Sequence, residues 1–136
     1  MKFGEFLLSS GKLALCSLAF FLGIVLSGLV LPLFGVPAPA IPKGTDAATL
    51  SRYFLLASVF LGLSLIVVSR GLKGRFLQRW LTLTIFAWVA YGINTSLEAS
   101  IFSTTSAAST EGAFYNIASS LISSLLVAAA AAFFFP

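Results

Sequence analysis

The chain has no histidine, a single cysteine and only four acidic residues in 136: Glu5, Asp46, Glu98 and Glu111. Those absences exclude a good deal of chemistry. Without imidazoles, and with one thiol, no cluster of the usual donors can hold zinc, haem or an iron–sulfur centre, so no metal and no cofactor is expected. Serine hydrolysis through a histidine base is excluded. An aspartyl dyad would need two acids where the apolar stretches offer one, and phosphoryl transfer would need acidic metal ligands on a loop. The chain reads as a non-enzyme. Cys16 cannot form an intrachain disulfide, and a thiol within an apolar helix behaves as a small hydrophobe.

Charge of either sign is scarce. Charged residues make up 9% and hydrophobic ones 59%, against about 25% charged in an ordinary soluble domain. A water-facing surface could not be built from so few, so the solvent is lipid. Four apolar stretches, near 13–34, 46–69, 80–102 and 113–135, match the roughly 20 residues a helix needs to cross a hydrocarbon core of about 30 Å. The second is the least apolar at its start, where Thr45 or Asp46 can cap it and Arg52 can snorkel outward. A β-barrel would need segments of about ten residues alternating in polarity, and these are apolar all round. A cleaved signal peptide is disfavoured by the length of the first run and by the lack of a small-residue cleavage site. The expected fold is all-α: an integral membrane bundle of four transmembrane helices, up-down-up-down, forming one domain over 1–136.

Basic residues set the expected orientation. Arg70, Lys73, Arg75 and Arg79 crowd the loop between the second and third spans, and Lys2 and Lys12 lie on the N-terminal flank. The bias of such residues toward the cytoplasm puts both there, and with them both termini. The expected location is a bacterial inner (plasma) membrane, crossed several times. The basic loop can also meet anionic lipid or a cytosolic partner, each basic residue contributing about 1 kcal/mol near an anionic surface, but topology explains it without either. Nucleic-acid binding would need a folded basic face, which a loop between two spans does not offer.

The outer connectors differ. Pro37, Pro39 and Pro42 stiffen the first, and Pro32 kinks or ends the first helix. Serine, threonine and alanine make the second, over 103–110, a flexible link. The last run, through Phe133, Phe134 and Phe135 to Pro136, carries no basic flank; spans normally end in interfacial anchors, which suggests the front portion of a longer polypeptide.

Glu98 is the one charge within an apolar core, since Asp46 and Arg52 precede the wholly uncharged part of the second stretch at 53–69. Tyr91, Asn94 and Glu98 are spaced i, i+3, i+7 along the third span, with Thr84 and Thr95 near the same stripe. At 1.5 Å per residue Glu98 stands roughly 27 Å beyond Trp80, in the outer part of the bilayer. On the fourth span Asn116, Ser119, Ser120 and Ser123 form a matching stripe, and the third and fourth helices are expected to pack along the two. Gly23 with Ser27, and Ser58 with Gly62, are further pairs of small residues suited to close packing.

The candidate site Tyr91, Asn94, Glu98, Asn116 and Ser119 admits three readings. In the first the chain is a structural or accessory membrane module, and Glu98→Gln changes nothing. The second makes Glu98 the proton or cation site of a small transporter, because intramembrane carboxylates commonly mark such paths. In the third Glu98 pairs with a basic residue of another membrane protein, of a second copy, or of a downstream helix.

Overall fold

The computed structural model describes residues 3–38, 46–93 and 110–135. These residues form helices and no strand. Helix α1 spans Phe3–Val30 and runs on into a single 3₁₀ turn, Leu31–Phe34. Helix α2 spans Ala47–Gly71. Helix α3 spans Phe76–Ala87 and continues as a π-helical segment, Trp88–Ile93. Helix α4 spans Thr110–Phe134.

Three of these are long and apolar enough to cross a membrane, over Leu8–Phe34, Phe54–Gly71 and Gly112–Phe134. The third expected span is described only as far as Ile93, as a shorter apolar helix. Two boundaries differ from the sequence reading. Helix α1 starts at Phe3, so Lys12 is a half-buried residue of the helix and no longer a flank. Helix α3 starts at Phe76, which moves Arg79 out of the loop and into a helical turn. Pro32 acts as expected. The α-helix stops at Val30, and the 3₁₀ turn closes with Gly35 in the left-handed region at φ 76°, its N–H donating to Pro32 O at 3.1 Å.

Helix α4 is the hub: it contacts α1, α2 and α3. Its inner surface is built from small residues, with Ser123, Ser124, Val127, Ala128 and Ala131 all at 1% exposure or less. Small side chains let backbones approach, which is how helices gain packing where lipid supplies no hydrophobic drive. The contact with α1 shows it most sharply. A Cβ placed on Gly23 would lie 2.5 Å from Ser123 Cα, so only glycine fits there. Further along the same seam Ser27 Oγ lies 2.5 Å from Ser119 Oγ, and at the other end Lys12 Nζ donates to Phe134 O at 3.0 Å. Numbers rise on α1 as they fall on α4, so the two helices run antiparallel. Helix α2 joins α1 in the same sense, with Gly62 beside Leu13 and Ser17 Oγ donating weakly to Ser58 O at 3.5 Å.

Large apolar side chains face outward. Leu29, Phe60, Val67 and Ile85 are all exposed, Val67 to 71%, while Ser17, Ser27, Ser58 and Ser69 are buried. A soluble bundle has the opposite distribution, because water penalises broad apolar surface. The arrangement is that of a protein solvated by hydrocarbon.

Candidate functional site

Polar side chains cluster in two places on α4, one along its length and one at its carboxyl end. Along its length, α3 runs antiparallel to α4 and reaches it through two indoles. Trp80 Nε1 donates to Leu125 O at 2.9 Å, and two helical turns on Trp88 Nε1 donates to Ile117 O at 3.1 Å. Ile117 O also accepts from Ser120 Oγ at 2.8 Å. A helix carbonyl has a second lone pair after its own N–H partner is served, and the indoles and hydroxyls use it. Where Gly92 meets Ser120 the two helices come so close that a side chain on Gly92 would overlap the serine hydroxyl.

That contact falls within the π-helical segment. Nearly one extra residue per turn rotates this segment relative to the α-helical part, so Gly92, instead of a larger neighbour, is turned toward α4. Such segments frequently accompany functional sites, and this one lies directly before Asn94 and Glu98 in the chain.

The expected site is only partly within the described residues. Asn94 and Glu98 lie outside them, as does the side chain of Tyr91, whose backbone belongs to the π segment. Asn116 is half-buried on α4. Ser119 is bonded to Ser27 of α1, and Ser123 Oγ donates back to Ser119 O at 3.0 Å. The expectation that the serine stripe of α4 faces α3 therefore needs correcting: Ser119 and Ser123 face α1, and Ser120 alone of the three meets the α3 side. The reason is spacing. Residues at i and i+4 share one helix face, whereas Ser120 stands about 100° round from Ser119.

The second cluster is absent from the sequence reading. At the carboxyl end of α4 the last carbonyls have no intrahelical donors, and the helix dipole places partial negative charge there. Two cations from elsewhere in the chain meet it. Arg79, 6% exposed, donates through Nη2 to Phe135 O and, at 2.8 Å, to Ser69 Oγ; its Nη1 donates to Ala132 O at 3.4 Å. Ser69 Oγ in turn donates to Phe135 O at 2.8 Å. From α1, Lys12 Nζ donates to Phe134 O and lies 5.4 Å from the centre of the Phe135 ring, a cation–π contact. The guanidinium fork suits this role because it can reach a hydroxyl and two carbonyls from one position. Among the described residues no carboxylate is a partner of Arg79, and its buried Nε–H has no acceptor.

This cluster joins all four helices at one pole. Read in sequence, Arg79 is one of four basic residues near a loop and Lys12 a flank, and the chain's last apolar run has no cation of its own. The groups that meet the end of α4 lie 53 to 122 residues from it in the chain. A faint signal exists: a buried-side serine ending α2, an arginine one turn into α3 and an unanchored helix end are complementary, but nothing in the spacing pairs them.

No protein-family model, curated protein or solved structure matches the chain. The geometry of these clusters therefore carries the functional argument alone. Among the described residues no group of three or more acidic, cysteine or histidine side chains could hold a metal ion. What the clusters can do chemically is bond helix to helix: they pair donors with carbonyl acceptors inside a lipid-solvated bundle.

Proposed function

We propose that this chain is a multi-pass plasma-membrane component of bacterial inner-membrane type, non-enzymatic, with a structural or accessory role. Its basic α2–α3 hairpin and both termini lie on the cytoplasmic side. The observation that carries the proposal is the fate of the polar groups: Ser27, Ser119, Ser120 and Ser123, both indoles and the two terminal nitrogens of the Arg79 guanidinium are spent on other helices or on their own backbone, while Ser124 Oγ and Arg79 Nε are buried without a partner. A transport path needs polar groups that face water or cargo. Here they hold helices together, the role small polar residues commonly take within membranes. On this reading Glu98 and Asn94 form a polar face for another membrane protein or for a second copy. Crosslinking and size-exclusion in mild detergent test it: Glu98→Ala should abolish assembly while insertion and expression stay normal. Unchanged assembly would sink it.

A second reading has its own support. The π segment stands immediately before Asn94 and Glu98, a position where such segments often serve a functional centre. In this reading Glu98 carries a proton or cation, with Tyr91, Asn94 and Asn116 as hydrogen-bonding neighbours. Charge movement in proteoliposomes on a solid-supported membrane, present in the wild type and lost in Glu98→Gln, would establish it. No current in either protein returns the weight to the accessory role.

A further inference from the structure

We propose that the α2–α3 hairpin holds an anionic phospholipid, its phosphate at the hairpin loop and one acyl chain in the groove between the two helices. Three observations converge. First, α2 and α3 leave an open groove of about 470 Å³, within the roughly 300–1,000 Å³ typical of small-molecule sites. Its walls are Leu56, Phe60 and Leu61 of α2, Phe86 of α3 and Ala90 of the π-helical segment that continues it. The one hydroxyl on them, Ser64 Oγ, donates to its own helix at Phe60 O, 2.9 Å away. The groove therefore offers an occupant apolar contact and no open hydrogen bond.

Second, the hairpin end is cationic and exposed. Arg70, Lys73 and Arg75 are all on the surface, and no acid occurs between residues 70 and 79. Arg79 is not available to a headgroup, being committed to the end of α4. Third, the separation fits. Ser64 and Leu56 precede Arg70 by six and fourteen residues, and Phe86 and Ala90 follow Arg75 by eleven and fifteen, so the groove walls lie roughly 9 to 22 Å along the helices from the loop, their near part within one leaflet's reach. One leaflet of hydrocarbon is about 15 Å deep. A diacyl lipid whose phosphate sits at the loop thus brings its chain alongside Phe60, Ser64 and Phe86.

Charge chooses among lipids. Each basic residue at an anionic surface favours it by about fivefold. After screening, Lys73 and Arg75 together should prefer an anionic headgroup by on the order of tenfold. The proposal goes beyond the accessory role and does not depend on Glu98.

The test is native mass spectrometry of the detergent-purified protein titrated with phosphatidylglycerol or with phosphatidylcholine of the same chains. The wild type should retain phosphatidylglycerol on the order of tenfold better. Lys73→Gln with Arg75→Gln should bring phosphatidylglycerol down to the phosphatidylcholine level, and Ser64→Trp, which fills the groove from an exposed position, should lower both. Ala90→Trp fills it from the other wall and decides the matter if Ser64→Trp misfolds, which its circular dichroism melt would reveal. Equal retention of the two lipids by the wild type overturns the proposal. So does wild-type phosphatidylglycerol binding in the filled-groove variants, which would mean that the loop attracts phosphate alone, or capture of an acidic peptide by the loop in place of any lipid preference.

Discussion

Gly23 is where a single atom decides the packing of the bundle. The sequence marks the position as a small residue suited to close packing, but its partner, Ser123, shows only in the structure. Gly23→Ala should force α1 away from α4 and cost about 1–3 kcal/mol, as overpacking of a tight contact does. Gly28→Ala is the matched control. Its Cβ would meet only Tyr115 Oη, at an ordinary 3.7 Å, so its effect should be neutral or slightly stabilising. Thermal unfolding in detergent, followed by circular dichroism, compares the two. Arg79 is the other decisive residue. Arg79→Gln leaves Ser69 and the last carbonyls of α4 without their cation and should destabilise by about 1.5–3 kcal/mol, the range for bonds to charged groups. Arg79→Lys should recover only part of it, because one ammonium cannot reproduce the fork. Full recovery by lysine would show that charge alone matters.

Helix α3 is the element that departs most from its sequence. Its apolar content and its two tryptophans are plain to read, and Trp80 suits a membrane interface, yet their use as donors to α4 is not, because a backbone carbonyl leaves no mark in a sequence. The change to π-helical geometry at Trp88 is equally hidden: it follows from how α3 must lie on α4, with Gly92 against Ser120. By contrast, the extents of α2 and α4, the stop before Pro32 and the close-packing role of Gly23, Ser27 and Gly62 could be read directly, since apolar length and small-residue spacing are local properties. Trp80→Phe and Trp88→Phe keep the ring and remove the N–H. Each should cost about 0.6 kcal/mol, the average for interhelical bonds in membranes. The two sites are two turns apart, so the double variant should sum the single losses, which the same melting experiment reads.

The whole molecule buries hydroxyls beside a core of Phe20, Leu65, Leu83 and Val127 and leaves many other Leu, Phe and Val outside. Composition alone foretells this, because so few charges cannot coat a protein in water. The partner choice of each helix is less legible: any of four similar apolar helices could have become the hub, and α4 does so through its run of serine and alanine. One residue makes the global state measurable. Cys16 is the sole cysteine, is fully buried and sits beside Gly62. A maleimide should therefore fail to label the folded protein in detergent and label it only as the bundle opens. Labelling should quicken in Gly23→Ala and Arg79→Gln in proportion to their lost stability. Fast labelling of the wild type would contradict the packing of α1 on α2.

The clasp at the end of α4 also has a history in time. A ribosome makes α4 after the three helices whose side chains hold it, so Lys12, Ser69 and Arg79 are made before their acceptors at the end of α4 exist. Until then the arginine, one turn into α3, must find water or headgroups at the surface. Arrival of α4 draws it inward, and only then does the clasp close.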